Sequence, residues 1–383
     1  MAADEPELRG APAGAVARAV ERGEALSGTA GFAGRLPDGR LVRDALGRQP
    51  VFVETAESST ERGDRAWGFS PDDLAGPEPL PAGHVLAPDD PDGDVGTDAE
   101  RVLSLPDPAP TTNDREAVAA LRDALRGSLD AVESAGTAVA FSGGVDSAIV
   151  ASALDAPLYV VGFPDSHDVA AAREAARLMG RAADLRAVEL EPADLERAVP
   201  EVAAATGRTN AMDVQIALPL YLAAERAAAD GFDRLAVGQG ADELFGGYAK
   251  VARAPEDPRV EAETVRGAAR ELLGTLPDQL ERDVLALRRA GVEPVAPLLD
   301  DRVVRAAIRL PGDLLVDERG ERKKALRLAA REFVPDGVAF REKKAVQYGS
   351  LVARELDRLA RQAGFKRRMD DHVSRYVESL IEG

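Results

Sequence analysis

Apolar segments of strand length alternate with segments of helical periodicity between residues 138 and 237, and this alternation restricts the fold more than any other feature. Strands are predicted at 138–141, 158–163, 185–190 and 234–237, of which 158–163 is predicted to be buried, with helices at 148–154, 169–178 and 214–230. Strands that alternate with helices form a parallel sheet with right-handed crossovers. We therefore predict an α/β fold with helices on both faces of a parallel sheet, followed by a mostly helical segment over 260–383 that lacks clear strand runs.

The sequence changes character near residue 110. Residues 29–54 predict short strands around turns at 37–39 and 47–48, which together make a small β-rich module. Residues 69–114 are crowded with Pro, Asp and Gly and predict a loop or linker. Beyond them, Asn113 and Glu116 have the spacing of a helix cap before apolar residues at helical intervals. We therefore predict two domains, 1–110 and 111–383.

The charge balance disfavours nucleic acid as a partner. The 383 residues carry 48 Lys+Arg against 67 Asp+Glu, a formal net charge of −19. Six of the basic residues are lysines, and aromatic residues make up 4% of the chain. These features are typical of an acidic surface adapted to high salt, where mobile ions screen self-repulsion. Codon bias with an ordinary acidic surface is the alternative.

Two absences restrict the chemistry of these residues. The chain has no cysteine, which excludes disulfides, thiolate metal ligands and a cysteine nucleophile. The sequence also has no apolar run long enough for a signal peptide or a membrane span. We therefore expect a cytoplasmic protein with no membrane partner.

A six-residue string, SGGVDS, lies between the strand predicted at 138–141 and the following helix. Ser142, Gly143, Gly144 and Ser147 are small residues that let N–H groups and hydroxyls converge on an anion at a helix N-terminus. Asp146 lies among these donors, where a carboxylate beside phosphates suits a Mg²⁺ ligand. A glycine turn with a capping aspartate is the structural alternative.

The string lacks the lysine of a Walker A loop. It resembles the SGGxDS loop of N-type ATP pyrophosphatases, which cleave ATP to AMP and pyrophosphate and include asparagine, GMP, NAD and argininosuccinate synthetases and tRNA-thiolating enzymes. The loop alone does not choose among these families.

A second motif distinguishes among these families. Residues 238–248 read GQGADELFGGY and resemble the GxGxDExFGGY signature of asparagine synthetases and the related β-lactam synthetases. The resemblance implies that Asp242 joins Asp146 in holding the Mg²⁺ of pyrophosphate and that Gly238 lies against adenine. Gly238 and Gly240 would permit close approach of a ligand to the backbone. A pair of acids that stabilises a helix N-terminus is the structural alternative for Asp242.

Two lysine pairs follow in the helical segment. KKALR at 323–327 resembles the KxxLR element of asparagine synthetases, REKK at 341–344 resembles RxK, and PLLD at 297–300 resembles PFLD. Four of the six lysines lie in the two pairs, so we select Lys323 and Lys343 as ammonium groups that stabilise phosphate charge. A solvated helix face is the alternative.

The amino-terminal region resembles the end of the glutaminase domain of glutamine-dependent asparagine synthetases. RDALGRQPVFVE at 43–54 is similar to RDxxGxxPLYY, and LPAGHVL at 80–86 is similar to LPPGxxL. The glutaminase cysteine has no counterpart here. The resemblance therefore implies a truncated module without glutamine hydrolysis in cis, with nitrogen supplied by ammonia, a separate glutaminase or an amine of the substrate.

One position departs from the family pattern. Asparagine synthetases usually have Glu or Asp at the second position of GxGxDE, where this chain has Gln239, which cannot accept a proton. Glu293, just before PLLD, is the nearest candidate for the missing base, and Val295 replaces the usual arginine. The other explanation is a different substrate.

We therefore predict an ATP-dependent, Mg²⁺-dependent ligase that forms an amide from a small carboxylate, with aspartate as the default. A ligase acting on another carboxylate and a non-catalytic ATP-binding regulatory subunit are the alternatives. The oligomeric state stays open, with a homo-oligomer included.

Overall fold

Two compact units make up the chain. The computed structural model describes residues 7–54, 66–88, 98–254, 256–259, 261–341 and 350–382. The first unit comprises Met1–Ser128, Gly240–Glu281 and Leu298–Ala325, and the second comprises Leu129–Gln239, Arg282–Pro297 and Leu326–Gly383. The predicted domain boundary near residue 110 stays a prediction.

A five-stranded parallel sheet forms the centre of the second unit and confirms the predicted α/β fold. Its spatial order is Leu185–Glu189, Leu158–Gly162, Thr137–Ala140, Arg234–Ala236 and Glu293–Val295. The chain runs outward from Thr137–Ala140 in one direction and then returns to the other side of that strand at Arg234–Ala236. This reversal is a topological switch point, where α/β proteins bind ligands at the carboxyl ends of the strands.

Alanine-rich and leucine-rich helices cover this sheet. Buried side chains from five helices pack with the strands in one core: Pro192–Thr206, Ala211–Ala229, Leu276–Arg289, Val352–Gln362 and His372–Glu382. Three further helices lie wholly in this unit: Val145–Ala153, His167–Leu178 and Asp336–Ala339. The helices Leu276–Arg289 and Lys324–Ala330 begin in the first unit and end in the second.

The strand Glu293–Val295 corrects the prediction that residues 260–383 contain no strand. Its three residues pair in parallel with Arg234–Ala236 at the edge of the sheet. Pro294 lies in its middle, and proline is tolerated in edge strands because no partner needs its missing N–H. A three-residue strand with a central proline gives almost no periodic signal.

The amino-terminal part of the first unit contains two small antiparallel sheets, as the short strand patterns predict. One has the order Leu8–Arg9, Ala33–Arg35, Leu41–Arg43, His84–Leu86 and Glu100–Arg101. The other has the order Trp67–Gly68, Phe52–Glu54 and Pro77–Pro79. The prediction that 69–114 is only loop or linker is therefore wrong. Pro77–Pro79 is an edge strand, where prolines are compatible with pairing on one side.

Six of the described helices lie wholly in the first unit: Ala13–Arg22, Ala241–Phe245, Ala249–Ala252, Val265–Leu273, Asp301–Ala307 and Gly312–Leu315. The helix Asp114–Leu129 belongs to this unit up to Ser128. Short 3₁₀ turns occur at Pro71–Asp73 and Pro297–Leu299. The predicted cap is confirmed, since Asn113 Oδ1 accepts from the N–H groups of Arg115 and Glu116 at 3.0 and 3.4 Å. Within the described residues, no helix combines the length and apolar character needed to cross a membrane.

Candidate nucleotide-binding site

The SGGVDS string forms a closed loop at the carboxyl end of the central strand. The backbone N–H of Ser142 donates to Ser147 Oγ at 3.2 Å, and the two hydroxyls lie 3.2 Å apart. Ser147 Oγ also donates to the carbonyl of Gly144 at 3.2 Å. The hydroxyl of Ser147 therefore joins the beginning of the loop to the first turn of the helix that follows.

Gly143 has a conformation and a position that both require glycine. Its φ of +74° is in the left-handed region, and a Cβ at this position would lie 2.5 Å from the carbonyl oxygen of Ala171. The backbone carbonyl of Ala171 cannot shift to make room for a Cβ as a flexible side chain can. The first glycine of the motif is therefore needed for the loop to form at all.

The loop leads into the N-terminus of the nine-residue helix Val145–Ala153. The first N–H groups of a helix have no intrahelical acceptor, and the helix dipole favours an anion there. Asp146 belongs to this first turn. Small residues, the N–H donors of a helix N-terminus and an oxygen ligand fit phosphate with Mg²⁺, which usually takes one or two carboxylates plus substrate phosphates.

Gly238 allows the neighbouring strand end to approach this loop closely. A Cβ at Gly238 would lie 3.0 Å from the backbone carbon and Cβ of Asp146 and from the backbone N of Ser147. The structure thus explains Gly238 by packing against the start of the helix Val145–Ala153. The adenine contact that the resemblance implies for Gly238 stays a prediction.

Gln239 comes next along the chain and contacts a residue that sequence reasoning missed. Its Nε2 donates to Asp283 Oδ2 at 2.5 Å. Asp283 lies 44 residues further along the chain in the helix Leu276–Arg289 and is 6% exposed. No local pattern marks Asp283, because the contact depends on how this helix packs within the second unit.

A second cluster, in the first unit, contains Asp242 and Lys323. Lys323 Nζ lies 2.8 Å from Asp242 Oδ1 in an ion pair between a buried ammonium and a half-exposed carboxylate. Lys323 has a φ of +61°, which is uncommon for a residue with a Cβ and costs energy. Gly240 caps the short helix Ala241–Phe245 with a φ of +83°. The structure therefore joins two of the motifs that the sequence analysis selected.

Glu243 is buried next to this pair. The hydroxyl of Tyr248 donates to Glu243 Oε1 at 2.6 Å. Burial raises the pKa of the Glu243 carboxyl, the hydrogen bond from Tyr248 opposes this effect, and the charge of Asp242 adds to it. Glu243 thus has a structural role in this segment, while Asp242 keeps an exposed carboxylate face.

One predicted catalytic residue, Glu293, lies away from Gln239 within the second unit. Glu293 pairs in register with Arg234 at the amino end of the parallel strands, opposite the edge that bears the SGGVDS loop. Its exposed carboxylate accepts from Arg288 Nε at 3.1 Å. The structure therefore gives Glu293 no place beside Gln239. Lys343 lies outside the described residues.

The segment that precedes Lys343 is held by two arginines of the motifs. Arg327 Nη1 donates to the carbonyl oxygens of Ala339 and Arg341 at 2.9 and 3.0 Å. Arg341 Nη1 donates to the carbonyl of Ala171 at 3.0 Å, the same carbonyl that packs against Gly143. The arginines of KxxLR and RxK are thus structural supports within the second unit.

The fold and the loop together define a class of protein. A parallel sheet with a small-residue loop and a helix N-terminus at its switch point is consistent with a PP-loop-like fold. A family model described as asparagine synthase matches residues 117–273 and 252–379. The chain belongs to the asparagine synthase family.

Individual relatives agree with this assignment. A Methanocaldococcus jannaschii protein that carries the name asparagine synthetase (glutamine-hydrolyzing) is 30% identical over 276 residues, covering 63% of this chain and 50% of the relative. Asparagine synthetase B (glutamine-hydrolyzing) of Escherichia coli is 29% identical over 193 residues, 50% of this chain and 34% of the relative. The chain thus spans half or less of the length of these curated relatives.

Proposed function

We propose that the chain is an ATP-dependent ligase that converts a small carboxylate and a nitrogen nucleophile to an amide, with release of AMP and pyrophosphate. The SGGVDS loop at the switch point of the parallel sheet carries this proposal. The left-handed Gly143 and the helix N-terminus support an anion site, and membership of the family suggests the phosphates of ATP as its ligand.

Each residue of the motifs has a role in this proposal. The loop N–H groups and the hydroxyls of Ser142 and Ser147 would bind phosphate oxygens, with Gly144 at the start of the helix. Asp146 and Asp242 would hold Mg²⁺, which supplies charge neutralisation for the departing pyrophosphate. Lys323 would stabilise the negative charge that develops as a carboxylate oxygen attacks the α-phosphorus and pyrophosphate leaves. Lys343 is proposed for the same task.

In the second half of the reaction the nitrogen nucleophile attacks the acyl carbon of the acyl-adenylate. AMP departs as the C–O bond to the acyl carbon breaks, and the proton lost by the nitrogen passes to solvent water, which completes the amide. Aspartate is the proposed carboxylate because the family name specifies asparagine. Ammonia or a separate glutaminase is the proposed nitrogen source, since the 383 residues include no cysteine for glutamine hydrolysis.

The experiment measures pyrophosphate release from ATP·Mg²⁺ with a panel of acidic amino acids and ammonium, in molar KCl because the chain is strongly acidic. Products are identified by mass spectrometry. Asparagine from aspartate is the expected product. Another amide would keep the chemistry and change the substrate, whereas ATP binding without pyrophosphate release under any condition would favour a regulatory subunit.

Variants separate the metal role from a general loss of folding. Asp146→Asn is expected to lose pyrophosphate release while keeping the wild-type melting temperature. Asp242→Asn is expected to lose it as well, and its release is compared per folded molecule because this change removes the carboxylate that pairs with the buried ammonium of Lys323. Asp155→Asn is the matched control, because Asp155 is an exposed aspartate just beyond the helix Val145–Ala153. Unchanged pyrophosphate release by Asp242→Asn would overturn the metal assignment.

A further inference from the structure

The amide of Gln239 is fixed in one orientation by Asp283. Gln239 Nε2 donates to Asp283 Oδ2, and Asp283 Oδ1 accepts from Arg282 Nε at 2.7 Å. The opposite orientation would place the amide carbonyl against a carboxylate oxygen, where two acceptors repel each other. Asp283 therefore determines which end of the Gln239 amide points away from it.

Asp283 is itself held by a buried network. Arg282 is 4% exposed, and its Nη1 donates to Asp213 Oδ1 at 2.8 Å. Burial alone would lower the pKa of Arg282, but the charge of Asp283 and hydrogen bonds to Asp283 and Asp213 raise it, so the guanidinium stays charged. Asp213 Oδ2 accepts from Asn210 Nδ2 at 2.7 Å at the start of the helix Ala211–Ala229. Two helices thus fix the carboxylate that orients Gln239.

Gln239 also lies where the chemistry of the proposed function takes place. It follows the strand Arg234–Ala236 at the switch point, directly after Gly238, whose backbone packs on Asp146 and Ser147. Its side chain is half-buried, and among the described residues its Oε1 makes no hydrogen bond. A carbonyl acceptor is therefore presented at the same edge of the sheet as the phosphate loop.

A neutral hydrogen-bond acceptor at Gln239 is compatible with the uncharged form of the nitrogen nucleophile, which is the form that attacks. A nitrogen nucleophile has N–H donors but attacks only through an unprotonated lone pair. A carboxylate would stabilise the protonated ammonium ion, which cannot attack, whereas a carbonyl oxygen accepts an N–H without that strong preference for positive charge.

We propose that Gln239 Oε1 binds the N–H groups of the incoming ammonia or primary amine in its uncharged form, and that Asp283 is the positioning residue that aims Oε1. This inference rests on the proposed ligase function. It gives the residue that departs from the family pattern a role in recognising the nucleophile, and it assigns no proton transfer to Gln239.

The experiment separates the two half-reactions, with ammonium chloride as the nucleophile. ATP–pyrophosphate exchange in the presence of the carboxylate substrate reports the first half without nitrogen. Gln239→Leu is expected to keep this exchange and to raise the KM for ammonium about tenfold, the value of one hydrogen bond of ordinary strength. Gln362→Leu, on an exposed glutamine at the end of the helix Val352–Gln362, is the matched control.

Variants of Asp283 are tested with the same two half-reactions measured separately. Asp283→Leu removes the acceptor that orients Gln239 and is expected to raise the KM for ammonium, with the KM for ATP unchanged. Asp283→Asn keeps an oxygen that accepts from Nε2 and is expected to restore most of the wild-type KM. If the buried arginine makes Asp283→Leu unstable, the Gln239→Leu result alone decides the proposal.

A pH profile gives a readout that a purely structural role would not change. Gln239→Glu places a second carboxyl at hydrogen-bond distance from Asp283, and two like charges there keep a shared proton above the ordinary carboxyl pKa. The KM for ammonium should then vary with pH in the variant beyond the variation in wild type. A wild-type KM and pH profile in both Gln239 variants would overturn the inference, whereas no exchange in wild type would overturn the proposed function instead.

Discussion

The ion pair between Lys323 and Asp242 gives the sharpest test of whether a buried lysine serves catalysis or stability. Lys323 is 7% exposed, and the Asp242 side chain with which it pairs is 47% exposed. We consider Lys323→Met, which keeps a long unbranched side chain and removes the charge. The ammonium is therefore the main difference between the two proteins.

The structure predicts a small effect of Lys323→Met on stability. Removing a buried ammonium ends its desolvation penalty, and water can solvate the exposed face of Asp242 once the partner is gone. Exposed ion pairs contribute about 0.2–1 kcal/mol. The free energy of unfolding in urea should therefore stay within about 1 kcal/mol of wild type. Met also retains the strained left-handed backbone at this position, so the strain does not change.

The same change should strongly reduce activity. Loss of one group that stabilises charge in a transition state typically costs about 10²–10³ in rate. Pyrophosphate release should fall by this factor, measured under saturating ATP·Mg²⁺ and carboxylate. Lys324→Met is the matched control, because it makes the same substitution at the next residue and should keep wild-type activity.

A loss of about 3 kcal/mol in stability with normal pyrophosphate release per folded molecule would refute this reasoning. That result would show that the ammonium holds the segment together and takes no part in phosphate chemistry. Lys323→Arg adds a further distinction, since a planar guanidinium on a longer side chain should not replace a compact ammonium at a buried position.

Three further predictions test other parts of the account. Asp301 is 1% exposed and accepts from Arg48 Nη1 at 2.8 Å, while Arg48 keeps Asp44 as a second buried partner, so Asp301→Asn should lower the free energy of unfolding in urea by about 1–3 kcal/mol. An unchanged free energy of unfolding would contradict a stabilising role of the ion pair between Arg48 and Asp301. Gly143→Ala forces a Cβ against the carbonyl of Ala171, so calorimetry should detect no ATP·Mg²⁺ binding at concentrations that saturate wild type; unaltered affinity would count against the loop as the phosphate site. The hydrogen bond from Arg367 holds the pKa of the Asp357 carboxyl below its ordinary value of 3.8, so the stability that Asp357 contributes is complete above pH 3.8 and is lost as the pH falls below it. Asp357→Asn should therefore weaken the pH dependence of the free energy of unfolding in this acidic range. An unchanged pH dependence would contradict this role of Asp357.

The parallel sheet was largely predictable because its strands are short apolar runs between helical patterns. The strand Thr137–Ala140 lies within one residue of the predicted 138–141, and Leu158–Gly162 and Leu185–Glu189 agree as closely. Burial on both faces leaves a strong sequence signal in Thr137–Ala140 and Leu158–Gly162, whereas the edge strand Leu185–Glu189 is mostly exposed and is marked only by its short apolar positions. The edge strand Glu293–Val295 gave no such signal, since its first residue is exposed and its second is proline.

The local features of the candidate site were predictable, whereas its long-range contacts were not. The motifs indicated Gly143 and Asp242 because the spacing of glycines and carboxylates within a motif depends on the local backbone conformation and on neighbouring charges. The contact of Gln239 with Asp283 depends on packing between segments 44 residues apart, which no local pattern records. Glu293 was a poor choice of base for a similar reason. It lies close to PLLD along the chain, but that closeness does not determine at which end of the sheet its side chain lies.

The amino-terminal helix shows a different limit. Ala13–Arg22 was not predicted, although Val16, Ala19 and Val20 are buried along one side of it. The helix is short and alanine-rich, and its first position follows proline without a side-chain cap. Such a segment becomes helical mainly because tertiary packing covers its apolar face.

The central claim is that the carboxylate is activated by transfer of AMP. The most direct measurement uses aspartate labelled with ¹⁸O in both carboxylates, together with ATP·Mg²⁺ and ammonium, followed by mass spectrometry of the nucleotide product. We expect AMP that carries one ¹⁸O, because the attacking carboxylate oxygen leaves with the phosphate when the amide forms. Unlabelled AMP, or ADP and phosphate as the products, would contradict it.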